Sequence, residues 1–333
     1  MVENNKIELS IIVPVYKVES YIGNFLVFLL HQGYRDQFEA VFVDDCGYDN
    51  SINIIETSLS STNINFKVVK HCENLGVSAA RNSGLDNAIG DYIYWADSDD
   101  LLEPDTVEKL FSVIRKYPSQ KLFSFNARHK NIGDRDLKEW FWQDGLKEKV
   151  SSTYFLQQMY NGKVGAYLWL YLFHKDIFRS IRFDNGSVWE DAIIIPKILS
   201  AQREIVCFND TFIYQYLLRP QSITQSLHPQ MDNVVFALNQ LENRLYPKKN
   251  EELYNDFVYY RTRLTMTLSR ECFMRTNNFG RLMKIHKKWS KSIPMVNINT
   301  LWNIRKKRSV FFLMTMKHIP SFLYLLYKVK FLK

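Results

Sequence analysis

Tyr92-Ile93-Tyr94-Trp95-Ala96-Asp97-Ser98-Asp99-Asp100 is an apolar run that ends in a cluster of acids. Its first five residues read as a buried strand, and residues 9–13, 40–43 and 66–69 upstream read the same way. Between these runs the period changes. Val18, Tyr21, Ile22, Phe25, Leu26, Leu29 and Leu30 share one helix face, and Ser51 to Leu59 offers a second, shorter helix. Strands alternating with helices over a hundred residues predict an α/β domain with a Rossmann-like, mostly parallel central sheet.

Downstream, Pro104 is expected to open a helix carrying Val107, Leu110, Phe111 and Ile114 on one side. From Ser151 to about Tyr216 the signal is mixed. Trp169, Tyr171 and Phe173 suggest a strand, and residues 192–199 suggest a helix interrupted by Pro196. Beyond about Met231 the pattern is helical, and no internal repeat or low-complexity linker is found.

A chain of 333 residues, 46% of them hydrophobic, can bury a sizeable core, with one large domain and a smaller one. Four widely spaced cysteines without a C-x-x-C pair argue against a zinc ribbon or a disulfide framework and fit a reducing, cytoplasmic setting. The first residues have no basic segment followed by an apolar one, so no secretory signal is expected. Charge is uneven along the chain. Thirteen of the 43 Lys and Arg residues, and none of the 35 acids, lie from Arg281 onward. That tail holds Arg305-Lys306-Lys307-Arg308 and then a Phe/Leu/Met-rich stretch broken by Lys317, His318 and Pro320. The combination suits an anionic membrane surface met from the side; a buried helical hairpin is the plainer alternative. So much apolar surface fits lipid better than a phosphate backbone, so no nucleic-acid partner is expected.

Ligands of open parallel sheets bind beyond the carboxyl ends of the strands, and four features stand there. Pro14, Val15 and Tyr16 end the first strand; Asp44 and Asp45 follow the second directly. Such acids can accept hydrogen bonds from a base or a ribose, or be merely solvated beside a helix cap at Asp49 or Asn50. Asn74 and Gly76 form a turn into a helix bearing Arg81, whose fork suits a diphosphate but by default makes a structural salt bridge. Asp97, Ser98 and Asp99 end the fourth strand, where one acid can hold a hard divalent cation, together with substrate phosphate oxygens, and the other a ribose.

Taken in order, Ile12-Val13-Pro14-Val15-Tyr16, Val43-Asp44-Asp45, Asn74-Leu75-Gly76 with Ala80-Arg81-Asn82, and Asp97-Ser98-Asp99-Asp100 resemble the inverting glycosyltransferase family 2 of GT-A fold. Trp189-Glu190-Asp191 resembles that family's Glu-Asp pair. Tyr214-Gln215-Tyr216 with Arg219-Pro220-Gln221-Ser222 resembles a later motif of its bacterial members. The likeness covers about residues 1–225, leaving 226–333 as a helical, basic, membrane-associating region. It implies transfer of a sugar from a nucleotide diphosphate donor, a UDP-sugar, to a glycan or lipid-linked saccharide. The implied setting is lipopolysaccharide, lipooligosaccharide or capsule synthesis, with the protein peripheral on the inner face of the membrane.

By the same resemblance Asp44 and Asp45 border the nucleoside, Arg81 holds base or diphosphate, Asp97 meets the ribose and Asp99 binds Mn²⁺ or Mg²⁺. Asp191 is the general base, with Glu190 in reserve. Arg219 would reach the diphosphate in a closed state and His228 would complete the metal site. Lys17 and Cys46-Gly47 depart from the family's usual residues at the pocket edge. A non-catalytic subunit of a glycan assembly complex is the alternative, opposed by the intact Asp97, Asp99 and Asp191. A nucleotidyltransferase or a dinucleotide oxidoreductase would need a glycine-rich loop after the first strand, and Ser10 to Glu19 contains no glycine.

Overall fold

The computed structural model describes residues 6–131, 136, 138–140, 143, 145–186, 189–218, 231–248, 252–276, 280, 283 and 287. Arg219, His228, the basic cluster at 305–308 and the apolar stretch after it lie outside these residues. The chain divides into two compact units, the first made of Met1–Leu156, Lys163–Gly186 and Glu190–Arg219.

In chain order the elements are β1 (Leu9–Val15), α1 (Ile22–Leu30), β2 (Phe38–Asp44), α2 (Ser51–Leu59), β3 (Asn65–Lys70), α3 (Val77–Asn87), β4 (Tyr92–Trp95) and β5 (Leu101–Leu102). Then come α4 (Thr106–Lys116), β6 (Leu122–Asn131), β7 (Lys138–Trp140), β8 (Lys149–Ser151), α5 (Ser152–Tyr160), β9 (Tyr171–His174), α6 (Asp191–Ala201), β10 (Glu204–Leu218), α7 (Met231–Leu245) and α8 (Tyr254–Thr276).

One sheet carries the first unit, in the order β3-β2-β1-β4-β9-β6-β10-β5, with β7 on β6 and β8 on β10. The strands β1, β2 and β4 are apolar almost throughout because helices cover both faces of the sheet there, so nearly every side chain is buried. The sheet is parallel from β3 to β4 and mixed beyond it. β9 lies antiparallel between β4 and β6, while β10 returns parallel to β6 and antiparallel to β5. The expectation of a mostly parallel sheet therefore holds for the amino-terminal half alone. A short buried run announces burial but not direction, and β9 arrives after an excursion long enough to enter either way.

Two local expectations also change. Trp169 stands in a 3₁₀ turn, Leu168–Leu170, and only the residues from Tyr171 form the strand. Its ring instead stacks on Tyr214, with centroids 4.7 Å apart and planes 7° from parallel. Pro196 does not interrupt α6: every residue from Ala192 to Leu199 is buried, and that burial outweighs the one backbone donor that proline removes.

Helix α3 lies close against β1. A methyl group on Gly84 would stand 2.3 Å from the Ile12 Cγ2 atom, so only glycine permits the approach. This contact sets the height of Arg81 above the strand ends.

The second unit comprises Gln157–Gly162, Ser187–Trp189 and Pro220–Lys333. Its described part holds the helices α7 and α8 expected beyond Met231. Inside it a buried Glu242–Arg261 ion pair takes a third member from the Tyr254 hydroxyl, which donates to Glu242 at 2.9 Å. Among the described residues no helix is long and apolar enough to cross a membrane.

Candidate active site

The ends of β1, β2 and β4 stand side by side because their registers are aligned: Val15 pairs with Asp44, and Ile12 with Trp95. The acids that follow these strands therefore gather at one edge of the sheet.

Asp44 and Asp45 are adjacent in sequence and differ in use. Asp45 is buried, and its carboxylate accepts the backbone N–H groups of Leu75 and Gly76, each at 2.8 Å. The His71 Nδ1 lies 2.8 Å from the same carboxylate, and the Asn74 amide donates to the Asp45 carbonyl at 3.2 Å. Asp45 thus clamps the turn that opens α3. Gly76 has φ +87° and ψ 162°, a region that side chains exclude, and it leads directly into the helix. Asp44 is only part-buried and accepts the Gly47 N–H at 3.3 Å. Pro14 is part-buried, Val15 is buried and Tyr16 is exposed, with the Lys17 ammonium 5.2 Å above the Tyr16 ring.

Arg81 is buried, and its guanidinium donates to Glu190 and, at 3.1 Å, to Asp97. It joins three distant segments: α3, the end of β4 and the start of α6. The structural reading of this arginine is thus realised, and its two carboxylate partners are themselves candidate site residues. Asn82 beside it closes the same junction, exchanging hydrogen bonds of 3.0 and 3.1 Å with the Phe183 backbone.

The acids at the end of β4 separate by depth. Asp97 leaves about a third of its side chain exposed, Ser98 is buried and Asp99 is part-buried. Asp100 is fully enclosed. It accepts the Tyr214 hydroxyl at 2.9 Å and the Leu217 N–H at 2.8 Å, and Tyr214 in turn accepts the Asp97 N–H at 3.1 Å. Burial, then the neighbouring Asp97, push the Asp100 carboxyl well above its ordinary range, and the two hydrogen bonds oppose them. Asp100 and Tyr214 therefore shape the turn that presents Asp97 and Asp99.

Of the adjacent acids at the start of α6, Glu190 is buried and held by Arg81, whereas the Asp191 carboxylate accepts backbone N–H groups, that of Ala192 at 2.7 Å and its own. Desolvation raises the Asp191 carboxyl to about 6; Arg81 and the Ala192 N–H oppose the rise, and Asp97 adds to it. A carboxylate tuned toward neutrality is suited to proton transfer, whereas Glu190 is engaged in the ion pair with Arg81.

No group of three or more His, Cys, Asp or Glu side chains able to hold a metal is found among the described residues. The donors present, Asp97 and Asp99, are oxygen ligands of the kind that bind a hard cation together with phosphate oxygens. Sequence reasoning missed His71, a lone histidine in no recognisable pattern.

A family model described as glycosyl transferase family 2 matches residues 10–181, more than half of the chain. The protein is a family 2 glycosyltransferase. It is 29% identical over 273 residues to the glycosyltransferase GlyA of Streptococcus pneumoniae serotype 4, covering 79% of this chain and 38% of GlyA. It is 23% identical over 279 residues to the poly(ribitol-phosphate) beta-N-acetylglucosaminyltransferase TarS of Staphylococcus aureus, covering 83% of this chain and 46% of TarS. This glycosyltransferase thus spans less than half the length of either relative. In fold it resembles the crystal structure of S. aureus TarS 1–349 in complex with UDP-GlcNAc, with a TM-score of 0.72 at 18% identity over 93% of this chain and 90% of that one. The expected GT-A architecture is thereby met.

Proposed function

We propose that this glycosyltransferase moves a hexose or N-acetylhexosamine from a UDP-sugar to a hydroxyl of a bacterial surface glycan, inverting the anomeric carbon. The observation that carries the reading is the meeting of Asp97, Glu190 and Arg81 at the strand ends of a family 2 domain, beside Asp191, whose carboxyl burial pushes up to about 6. The UDP-GlcNAc bound by the TarS structure supports the donor class.

In this reading Asp191 takes the proton of the acceptor hydroxyl as its oxygen bonds to the anomeric carbon and the bond to the diphosphate breaks on the opposite face. The electron pair leaves with the nucleoside diphosphate. No covalent enzyme intermediate is required. Arg81 keeps Glu190 and Asp97 in place, and the clamp of Asp45 on the Gly76 turn shapes the nucleoside side.

Among the described residues the site gathers Asp97, Glu190 and Asp191 around the Arg81 guanidinium, an anionic setting for a donor that is itself anionic. This imbalance favours a divalent cation. Asp99 would hold Mn²⁺ or Mg²⁺, which when bound supplies Lewis-acid neutralisation of the departing diphosphate, while Asp97 would face the ribose. Arg219 and His228 are proposed as further contacts to diphosphate and metal. The basic and apolar tail after Arg281 supports a peripheral seat on an anionic membrane surface, where a lipid-linked acceptor would be met.

The test is turnover of UDP-, GDP- and dTDP-sugars with Mn²⁺, Mg²⁺ or chelator, in wild type, Asp99→Ala and Asp191→Asn, with lipid-linked and surface-glycan acceptors. Turnover of one UDP-sugar is expected, lost with chelator or Asp99→Ala, while Asp191→Asn binds donor without transfer. NMR of the product should show the inverted anomer. A retained anomer, or unimpaired transfer by Asp191→Asn, would overturn the mechanism.

A further inference from the structure

Three segments of the first unit meet at one imidazole. His71 follows β3, and its side chain is about 7% exposed. One nitrogen, Nδ1, lies 2.8 Å from the Asp45 carboxylate after β2, and the other, Nε2, lies 2.8 Å from the Ser83 hydroxyl in α3. With Nδ1–H donating to the carboxylate, Nε2 is left to accept the serine proton, which fixes the ring at both ends.

The order Asp45–His71–Ser83 has the connectivity of a hydrolytic triad, but its carboxylate also grips the Leu75 and Gly76 N–H groups. Ser83 sits inside a helix, two residues beyond Arg81, and Gly84 beside it is pressed against β1. These surroundings suit a brace rather than a nucleophile. At one end the imidazole orients the carboxylate that holds the turn; at the other it ties down the helix that follows the turn. Removing the ring leaves Asp45 with two backbone donors and no lateral stop, and leaves the Ser83 hydroxyl without its acceptor.

We infer that His71 is a positioning residue for donor binding: through Asp45 it sets the Leu75–Gly76 turn that borders the nucleoside side of the crevice. The inference rests on the proposed transfer reaction, in which this edge of the sheet receives the nucleoside diphosphate. His71 touches neither Asp97 nor Asp191 among the contacts found, so its loss should weaken donor binding and leave the chemical step alone.

Steady-state kinetics on His71→Ala and His71→Asn, each checked for folding by thermal denaturation, test this directly. Asparagine places an amide N–H near the position of Nδ1 and can restore the bond to Asp45, though not the one to Ser83. For alanine we expect donor KM to rise about tenfold, equivalent to about 1.4 kcal/mol, with kcat changed by less than about threefold. Asparagine should recover most of the loss. Unchanged donor KM in folded His71→Ala, or a fall in kcat at constant KM, would overturn the proposal. Amide hydrogen exchange at Leu75 and Gly76 reads the same brace without any substrate: alanine should speed exchange there at least tenfold, and asparagine should restore it. Wild-type protein that turns over no nucleotide sugar would count against the transferase reading, while the exchange result would still decide whether His71 holds the turn.

Discussion

Replacing Arg81 with methionine keeps an unbranched apolar stem and removes the guanidinium that binds Asp97 and Glu190 and offsets the desolvation of Asp191. Two consequences separate. For stability, Glu190 is left as a buried, unpaired carboxylate, a loss of about 3 kcal/mol, whereas the more exposed Asp97 adds little. Melting should fall by roughly 6 °C. For chemistry, Arg81 is the largest influence opposing the desolvation that raises Asp191 to about 6. Without it the carboxyl rises further, because an opposite charge nearby favours the ionised form. If ionised Asp191 is the base, activity of the wild type climbs as pH rises through about 6. In Arg81→Met this acid limb should move up by about one pH unit or more. The measurement is kcat at saturating donor from pH 5.5 to 9, on protein whose folding is verified at each pH. Any contact of Arg81 with the donor would lower the rate at every pH, so the position of the limb, not its height, is diagnostic. A limb that stays in place, or moves down, would refute the assignment of Asp191 as a base tuned by Arg81.

Two further outcomes follow from the same geometry. Tyr214→Phe removes the hydroxyl that accepts the Asp97 N–H and donates to Asp100, leaving the part-buried Asp97 N–H and the enclosed Asp100 carboxyl each one partner short; denaturant unfolding should show a loss of about 2 kcal/mol, with a several-fold rise in donor KM, and an unaffected KM would count against the turn's role. Asp191→Asn should abolish transfer yet stabilise the fold, since a carboxyl raised from 3.8 to about 6 favours folding only while protonated and loses that advantage as pH rises through about 6. The gain, about 1–2 kcal/mol after allowing for partial solvent contact, should appear in melting at pH 7.5 and vanish near pH 4.

What was legible in the sequence follows from what each kind of pattern encodes. Strands buried on both faces must be apolar almost throughout, so β1, β2 and β4 announced themselves, and the acids after them were legible as strand-end features. Direction and partner are not local properties. Nothing in Tyr171–His174 says that it will run antiparallel between β4 and β6. The same limit explains the acids. Asp44 and Asp45 are chemically identical neighbours, and only the fold reveals that Asp45 is taken up by the Leu75–Gly76 turn. Glu190 and Asp191 are likewise equivalent on paper until a guanidinium 109 residues earlier in the chain claims Glu190. His71 had no pattern at all, because its significance lies in two contacts, 26 and 12 residues away. One small residue links these facts. Gly84 lets α3 settle against β1, and that seating places Arg81 between Asp97 and Glu190 and Ser83 against His71. A larger side chain at Gly84 would lift both at once, so the charge balance around Asp191 and the brace behind the Gly76 turn depend on one helix-to-strand contact.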